Sequence, residues 1–224
     1  MKRMIPMFLA AISIAATLHG WDCASGVMTS SSHPPISDYA IIGDTRSAAL
    51  ISRDGSIDWL CWPRFDSRSM FARILDLDRG GCFAIRPSIP FKAGRRYIEN
   101  TNVLETTFTT DNGVVRLTDL MPVMKEEEKK HRLTPFRQLL RRVEGVDGAV
   151  PMTMVFDPRP DYAQSTPNFK QRGDTITVED GPSVLTLRTD IPLAGTTTPF
   201  DMMPLYILRL GTQVGIFKPR NQHS

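Results

Sequence analysis

The stretch "SRDGSIDWLCWPRFDS", Ser52–Ser67, gathers two tryptophans, two arginines, three aspartates, a cysteine and a proline into sixteen residues. Its first half reads as a turn, because Asp54-Gly55 joins a side chain that hydrogen-bonds nearby backbone to a residue free to take positive φ. The following "IDWLCW" is a short apolar run rich in β-formers and closed by Pro63, which predicts a strand leaving that turn. Trp59 and Trp62 lie three positions apart, so a strand sends them to opposite faces. One indole is expected in the core. Trp62, beside Pro63, Arg64 and Asp66, is expected to turn outward, where an aromatic plane flanked by hydrogen-bonding groups suits a sugar ring. The blander reading is a partly buried tryptophan beside a structural Arg-Asp pair.

The same alternation of apolar run and turn continues along the chain. "YAIIG", "SAALIS", "CFAIRP", "NVLETTFTT", "GVVRLTDLM", "PMTMVFDP", "DTITVED" and "SVLTLRT" follow one another at close spacing, which predicts an antiparallel sandwich or barrel. "TTDNGVV" places Asp111-Asn112-Gly113 between two strands, and Asn-Gly is expected to supply the positive φ angles of a tight hairpin turn. Ile176 and Val178 alternate with threonines, and Leu185 and Leu187 repeat the pattern. Only two segments invite helix. In "SMFARILDL" the residues Met70, Phe71, Ile74 and Leu75 share helical spacing, whereas "FRQLLRRVEG" reads better as a strand. The charge run Lys125–Arg132 reads as a solvated loop.

Composition agrees with a β-rich globular domain: of 224 residues, 41% are hydrophobic, and 17 prolines with 15 glycines favour many turns over long helices. The formal charge of +3 is small. Basic residues are scattered without an interleaved aromatic stripe, so nucleic acid is not an expected partner. Cys23, Cys61 and Cys82 match no metal-ligand spacing. Cys61 is expected to be a buried thiol, and a Cys61–Cys82 disulfide is expected only if the chain is exported.

Residues 1–27 carry two alternative readings. Lys2 and Arg3 followed by an apolar stretch resemble a signal peptide, too short for a stable membrane span; alternatively, the segment is an extension upstream of a start at Met28. Export follows from the first reading and a cytoplasmic location from the second. Cys23 lacks the leucine and small residues expected before a lipid-attachment cysteine. Residues 28–35 read as a disordered leader, 36–217 as one β-sandwich domain, and 218–224 as a tail.

A search for chemistry returns little. No nucleophile elbow, phosphate loop, dinucleotide fingerprint or zinc-protease helix is present, and His19, His33, His131 and His223 sit in leader, loop and tail positions. No cofactor or metal is expected. Asp54, Asp58, Asp66, Asp119, Asp157 and Asp161 all fall beside turns or strand ends, where capping of backbone N–H groups is the expected role. Glycoside hydrolysis needs two carboxyl groups facing across a cleft, an arrangement that spacing alone does not establish.

Four segments nevertheless form a recognisable set: "ISDYAIIGDTRSAALISRDGSIDWLCWPRFDSRSMFARILD", "RRYIENTNVLETTFTTDNGVVRLTDLMPV", "LLRRVEGVDGAVPMTMVFDPRPDY" and "LTLRTDIPL". From about Ile36 to Leu193 the chain resembles the N-terminal domain of bacterial glycoside hydrolase family 15, the glucoamylase-, glucodextranase- and trehalase-like enzymes. The resemblance implies a β-supersandwich that precedes an (α/α)6 barrel, with inverting hydrolysis of α-glucosidic bonds by two barrel glutamates. About thirty residues follow the matched region, too few for twelve helices, so the barrel is expected to be absent and no catalytic residue is assigned. Pro160 in "FDPRPDY" replaces the larger residue usual in the family and is expected to alter that loop.

Three roles follow as expectations. The chain is a noncatalytic sandwich domain, inactive alone, that packs on a separately encoded barrel; or a free module binding α-glucosides weakly through Trp62, Arg64 and Asp66; or a gene remnant without independent function.

Overall fold

The computed structural model describes residues 33–123, 138–181 and 183–189, together with the backbone of two later strands. The reading of residues 1–27 and the charge run at 125–132 lie outside these. One sheet runs in the order β1 (Tyr39–Gly43), β2 (Ala48–Ser52), β3 (Ser56–Cys61), β5 (Cys82–Pro87), β10 (Pro151–Asp157) and β14 (Met203–Tyr206), with β4 (Ser69–Phe71) paired to β3. The other runs β11 (Asn168–Arg172), β12 (Thr175–Asp180), β13 (Ser183–Thr189), β15 (Thr212–Phe217), β9 (Gln138–Gly148), β8 (Gly113–Leu120), β7 (Leu104–Thr110) and β6 (Lys92–Tyr97). The described pairings are antiparallel. The all-β supersandwich expected from the sequence is what forms, with no helical barrel among the described residues.

Alternation decides the core. Ile51, Ile57, Phe83, Ile85, Met154 and Phe156 from the first sheet meet Phe108, Val115, Leu117, Leu139, Val143 and Ile176 from the second. Phe83 and Phe156 pack edge to face at 5.4 Å, and Phe91 and Phe108 at 5.1 Å, the arrangement that ring quadrupoles favour.

One ion pair crosses this core. Asp119 on β8 and Arg141 on β9 stand opposite each other and are both fully buried. Arg141 Nε donates to Asp119 Oδ1 at 2.8 Å and Nη2 to Oδ2 at 3.3 Å. The same guanidinium reaches the facing sheet, donating to the carbonyls of Phe83 at 2.5 Å and Gly55 at 2.7 Å. Burial pushes the Asp119 carboxyl above its usual pKa, against the pull of Arg141.

Two local expectations are corrected. "SMFARILDL" is not a helix: Phe71 pairs with Leu60 as part of β4, and the chain then folds into hydrogen-bonded turns, Leu75 N donating to Ala72 O at 2.9 Å and Ala72 N to Gly80 O at 2.8 Å. Pairing with β3 outweighs helical spacing because it buries Met70 and Phe71 completely enough to join the core. The hairpin at residues 110–113 forms as expected, but Asp111 and Asn112 do not take positive φ; only Gly113 does, at φ 147°. A Cβ there would meet Asp147 O at 2.2 Å, so β9's approach is what requires the glycine. Cys61 is a free buried thiol, as expected, and does not bridge to Cys82.

The outer edges of the two sheets are stitched together by side chains. The Tyr97 hydroxyl on β6 accepts from Ile41 N at 3.0 Å and donates to Ile41 O at 2.9 Å, imitating a neighbouring strand. Asn102 Nδ2 donates to Gly43 O at 2.5 Å. An unpaired edge is a template for association with another chain. Tyr97→Phe is therefore expected to lower stability by only about 1 kcal/mol, since water replaces both bonds at this exposed site, yet to increase aggregation. Chemical denaturation and light scattering check the two halves of that expectation; unchanged scattering counts against an edge-protecting role.

Candidate functional site

The stretch Ser52–Ser67 folds as a turn, a bulged strand and a long loop. Gly55 takes φ 81° and its N–H closes the turn onto Ser52 O at 3.0 Å. Between β2 and β3 the register shifts: Ile51 faces Ile57, but Leu50 faces Trp59, leaving Asp58 as the extra residue of a bulge. Asp58 is fully buried and bound by Ser56 Oγ at 2.5 Å and the Tyr39 hydroxyl at 2.9 Å, with Arg73 Nη1 at 3.7 Å. Burial pushes the Asp58 carboxyl up, opposed by Ser56 and Arg73, and pushes the Tyr39 phenol up as well.

The tryptophans reverse their expected roles. One is in the core and one is not, but Trp62 is the buried one, at 1% exposure, and Trp59 is only half-buried. Trp62 falls one residue beyond the end of β3, where strand parity no longer governs it, and joins the hydrophobic core. Its indole face is not offered to solvent. Arg64 and Asp66 do lie on the surface, about two-thirds exposed and paired with each other at 3.0 Å. The loop carrying them is held by Arg64 N to Ser67 Oγ at 3.1 Å and Phe65 N to Arg46 O at 3.0 Å. The expected trio is thus a surface ion pair with a core tryptophan beside it.

A different partner comes to this surface from a hundred residues downstream. After β10 the chain makes one turn, Pro160–Ala163, in which Asp161, Tyr162 and Ala163 all adopt left-handed backbone, with φ of 53°, 57° and 61°. Each such residue costs about 1–2 kcal/mol when it bears a Cβ, so surrounding contacts must hold the turn. They are specific. Arg159 N donates to Met70 O at 3.0 Å, Tyr162 N to Ser69 Oγ at 2.9 Å, and Arg68 Nη1 lies 3.3 Å from Asp161 Oδ2. The Tyr162 ring packs on Trp59 with centroids 6.3 Å apart, and burial raises the pKa of the Cys61 thiol, opposed by Tyr162. Tyr162 remains 46% exposed. Trp59, Tyr162, Arg68 and Asp161 therefore form one aromatic and charged surface beside the Arg64–Asp66 loop.

The six aspartates singled out in the sequence do not cap backbone N–H groups as their main role. Each faces an arginine: Asp54 with Arg86, Asp58 with Arg73, Asp66 with Arg64, Asp119 with Arg141, Asp157 with Arg159 and Asp161 with Arg68. Burial opposes the charge on Asp54, but Arg86 and Ser52 hold its carboxyl below the usual range. No group of three or more metal-ligating side chains occurs among the described residues, and no helix among them is long and apolar enough to cross a membrane. Sequence reasoning missed Tyr162 altogether; the one available signal was Pro160 in "FDPRPDY", which marks an altered loop without saying what the loop touches.

The described residues form a two-sheet antiparallel β-supersandwich, with an aromatic and arginine-paired surface where β3 and the loop after it meet the turn after β10. The family model described as "Trehalase-like, N-terminal" matches residues 26–191, and the chain belongs to that family. It is 35% identical over 162 residues to a trehalase of Mycolicibacterium smegmatis, covering 67% of this chain and 24% of the relative. A Mycobacterium tuberculosis trehalase is 35% identical over 171 residues, covering 69% and 25%. A Thermoplasma volcanium trehalase is 36% identical over 143 residues, covering 62% and 22%. The chain thus spans about a quarter of the length of these relatives. No solved structure matches it significantly.

Proposed function

We propose that this chain is the noncatalytic sandwich domain of a family 15 type glycoside hydrolase, which packs on an (α/α)6 barrel and shapes one wall of its active-site mouth. The barrel would carry the inverting hydrolysis of an α-glucosidic bond. The observation that carries this reading is the coverage: the matched relatives are trehalases, and the similarity occupies only their equivalent quarter. The pairing of the six singled-out aspartates with arginines supports it, since a carboxylate committed to a guanidinium is poorly placed to act as general acid or base. The Trp59–Tyr162 surface, held by a strained turn, is the natural candidate for the contact, because strain of this kind concentrates at functional positions.

Purified chain incubated with trehalose or maltooligosaccharides should release no glucose, and activity that follows the chain through successive columns overturns the proposal. Adding the chain to a trehalase whose matched N-terminal quarter has been deleted should restore hydrolysis. Tyr162→Ala should cut that restored rate roughly tenfold, as loss of an aromatic anchor at a contact does. The alternative of a free α-glucoside-binding module is favoured by the exposed Tyr162 ring rather than by Trp62; saturable binding of trehalose that Tyr162→Ala abolishes and Trp62 substitution does not, without any restoration of a truncated trehalase, selects it.

A further inference from the structure

A second concave surface lies at the stitched edge, where β1 and β6 meet. A cleft of about 270 Å³ is lined there by Tyr39, Arg53, Arg95, Arg96 and Tyr97. Two of its guanidinium groups have carboxylate partners. Arg53 Nε is 3.3 Å from Asp38 Oδ1, and Arg96 bonds Glu105 Oε2 through Nε at 2.8 Å and Nη2 at 2.7 Å. Arg95 differs: its Nη1 donates to two backbone carbonyls, Asp38 O at 2.7 Å and Ile51 O at 3.1 Å, and no ion pair to it occurs among the described residues. Burial and the neighbouring positive charge of Arg53 hold the Arg95 pKa below its ordinary value, against the pull of the Asp38 carboxylate.

That arrangement departs from the rest of the molecule. Arg73, Arg86 and Arg141, with side-chain exposures of 10%, 14% and 0%, each face a carboxylate. A half-buried guanidinium beside a second one, with the Asp38 carboxylate paired to Arg53 and no carboxylate in ion-pair contact with Arg95 itself among the described residues, is a charge that a bound anion can compensate. The tyrosine hydroxyls are already committed, Tyr39 to Asp58 and Tyr97 to Ile41, so they present ring faces rather than donors. Recognition in the cleft therefore falls to the arginine forks, whose planar donors match a phosphate or carboxylate.

We propose that this cleft binds a small ligand bearing one oxyanion, seated on Arg95 and flanked by Arg53 and Arg96, with the tyrosine rings as walls. The volume exceeds that of a bare ion and accommodates a monosaccharide-sized body. This site shares no lining residue with the Trp59–Tyr162 surface.

Titration calorimetry on the full chain, in about 0.15 M salt so that diffuse charge is screened, tests it with inorganic phosphate, glucose 6-phosphate, glucuronate and neutral glucose as probes. At least one oxyanion should bind with one-to-one stoichiometry, and glucose should not. Equal affinity for phosphate and glucose 6-phosphate identifies the seat as one for the free ion; a tenfold preference for the sugar phosphate or glucuronate identifies the esterified or carboxylated sugar. Arg95→Gln should weaken binding at least tenfold. Because that variant also loses a tie to two carbonyls and can fail to fold, Arg53→Gln/Arg96→Gln, altering two exposed side chains, provides the parallel reading with an expected several-fold loss. No heat from any oxyanion at millimolar concentration, equal binding of glucose, or an affinity that the paired variant leaves unchanged overturns the proposal.

Discussion

Arg141→Met will destabilise the sandwich by about 3–5 kcal/mol, a large part of the roughly 5–15 kcal/mol that holds a domain together. The size follows from what remains behind. Asp119 is fully buried opposite position 141, and without the guanidinium it has no basic partner among the described residues. The loss extends beyond the pair, because the carbonyls of Phe83 and Gly55 lose their donor and the Phe83 ring loses a guanidinium 4.8 Å from its centroid. Replacing both partners, Arg141→Met with Asp119→Leu, removes the stranded carboxyl and should recover most of the deficit, since apolar groups of similar volume can substitute for a buried ion pair. Urea denaturation of the two variants and the wild type measures the coupling directly. A double variant as unstable as the single one would show that the carbonyl ties, not the ion pair, carry the energy.

Gly55→Ala is expected to cost about 3 kcal/mol or more, an unusual amount for one added methyl. At φ 81° a Cβ is strained in itself, and here it would sit 2.6 Å from Ile85 O, 2.9 Å from Phe108 Cζ and 3.2 Å from Leu117 Cδ2. The first of these is strand backbone, which cannot step aside. Displacing Gly55 also moves the carbonyl that accepts from Ile85 N at 3.2 Å and from Arg141 Nη2. Gly94→Ala is the matched control: a Cβ there meets nothing within 4 Å, and the exchange should leave the melting midpoint near that of the wild type. Equal effects at the two positions would mean that chain entropy, and not crowding at the turn, sets the cost.

The difference between those two glycines also marks what a sequence can and cannot convey. Asp54-Gly55, the run from Thr106 to Leu117 and the alternation of Ile176 and Val178 announce turn, hairpin and strand because each depends on neighbours in the chain. The inward and outward assignment of Trp59 and Trp62 depends instead on a bulge at Asp58, set by pairing with β2, and on where β3 stops, at the pairing of Cys61 with Ser69 of β4. Helical spacing in Met70–Leu75 was a genuine local signal that lost to pairing with Leu60. The surface formed by Trp59 and Tyr162 was less legible still. Its halves are separated by about a hundred residues and meet only because β10 enters the first sheet beside β5 and its exit turn folds back over Ser69 and Met70. The aspartates were visible as turn residues, while their arginines, often on other strands, were not.

The position of β15 bears on how the molecule is made. It is the last described strand in sequence, yet it lies inside its sheet, with Val214 opposite Thr189 of β13 and Arg141 of β9. A chain emerging from the ribosome presents β9 and β13 before the strand that separates them exists. At roughly 5–20 residues per second, the stretch from Thr189 to Phe217 takes on the order of 1–6 s to synthesise. For that interval two interior edges stand open, one of them carrying Arg141, able to pair wrongly with each other or with a neighbouring nascent chain. Folding of the second sheet is thus an insertion rather than an extension, and its yield in a cell depends on whatever shields that gap while translation finishes.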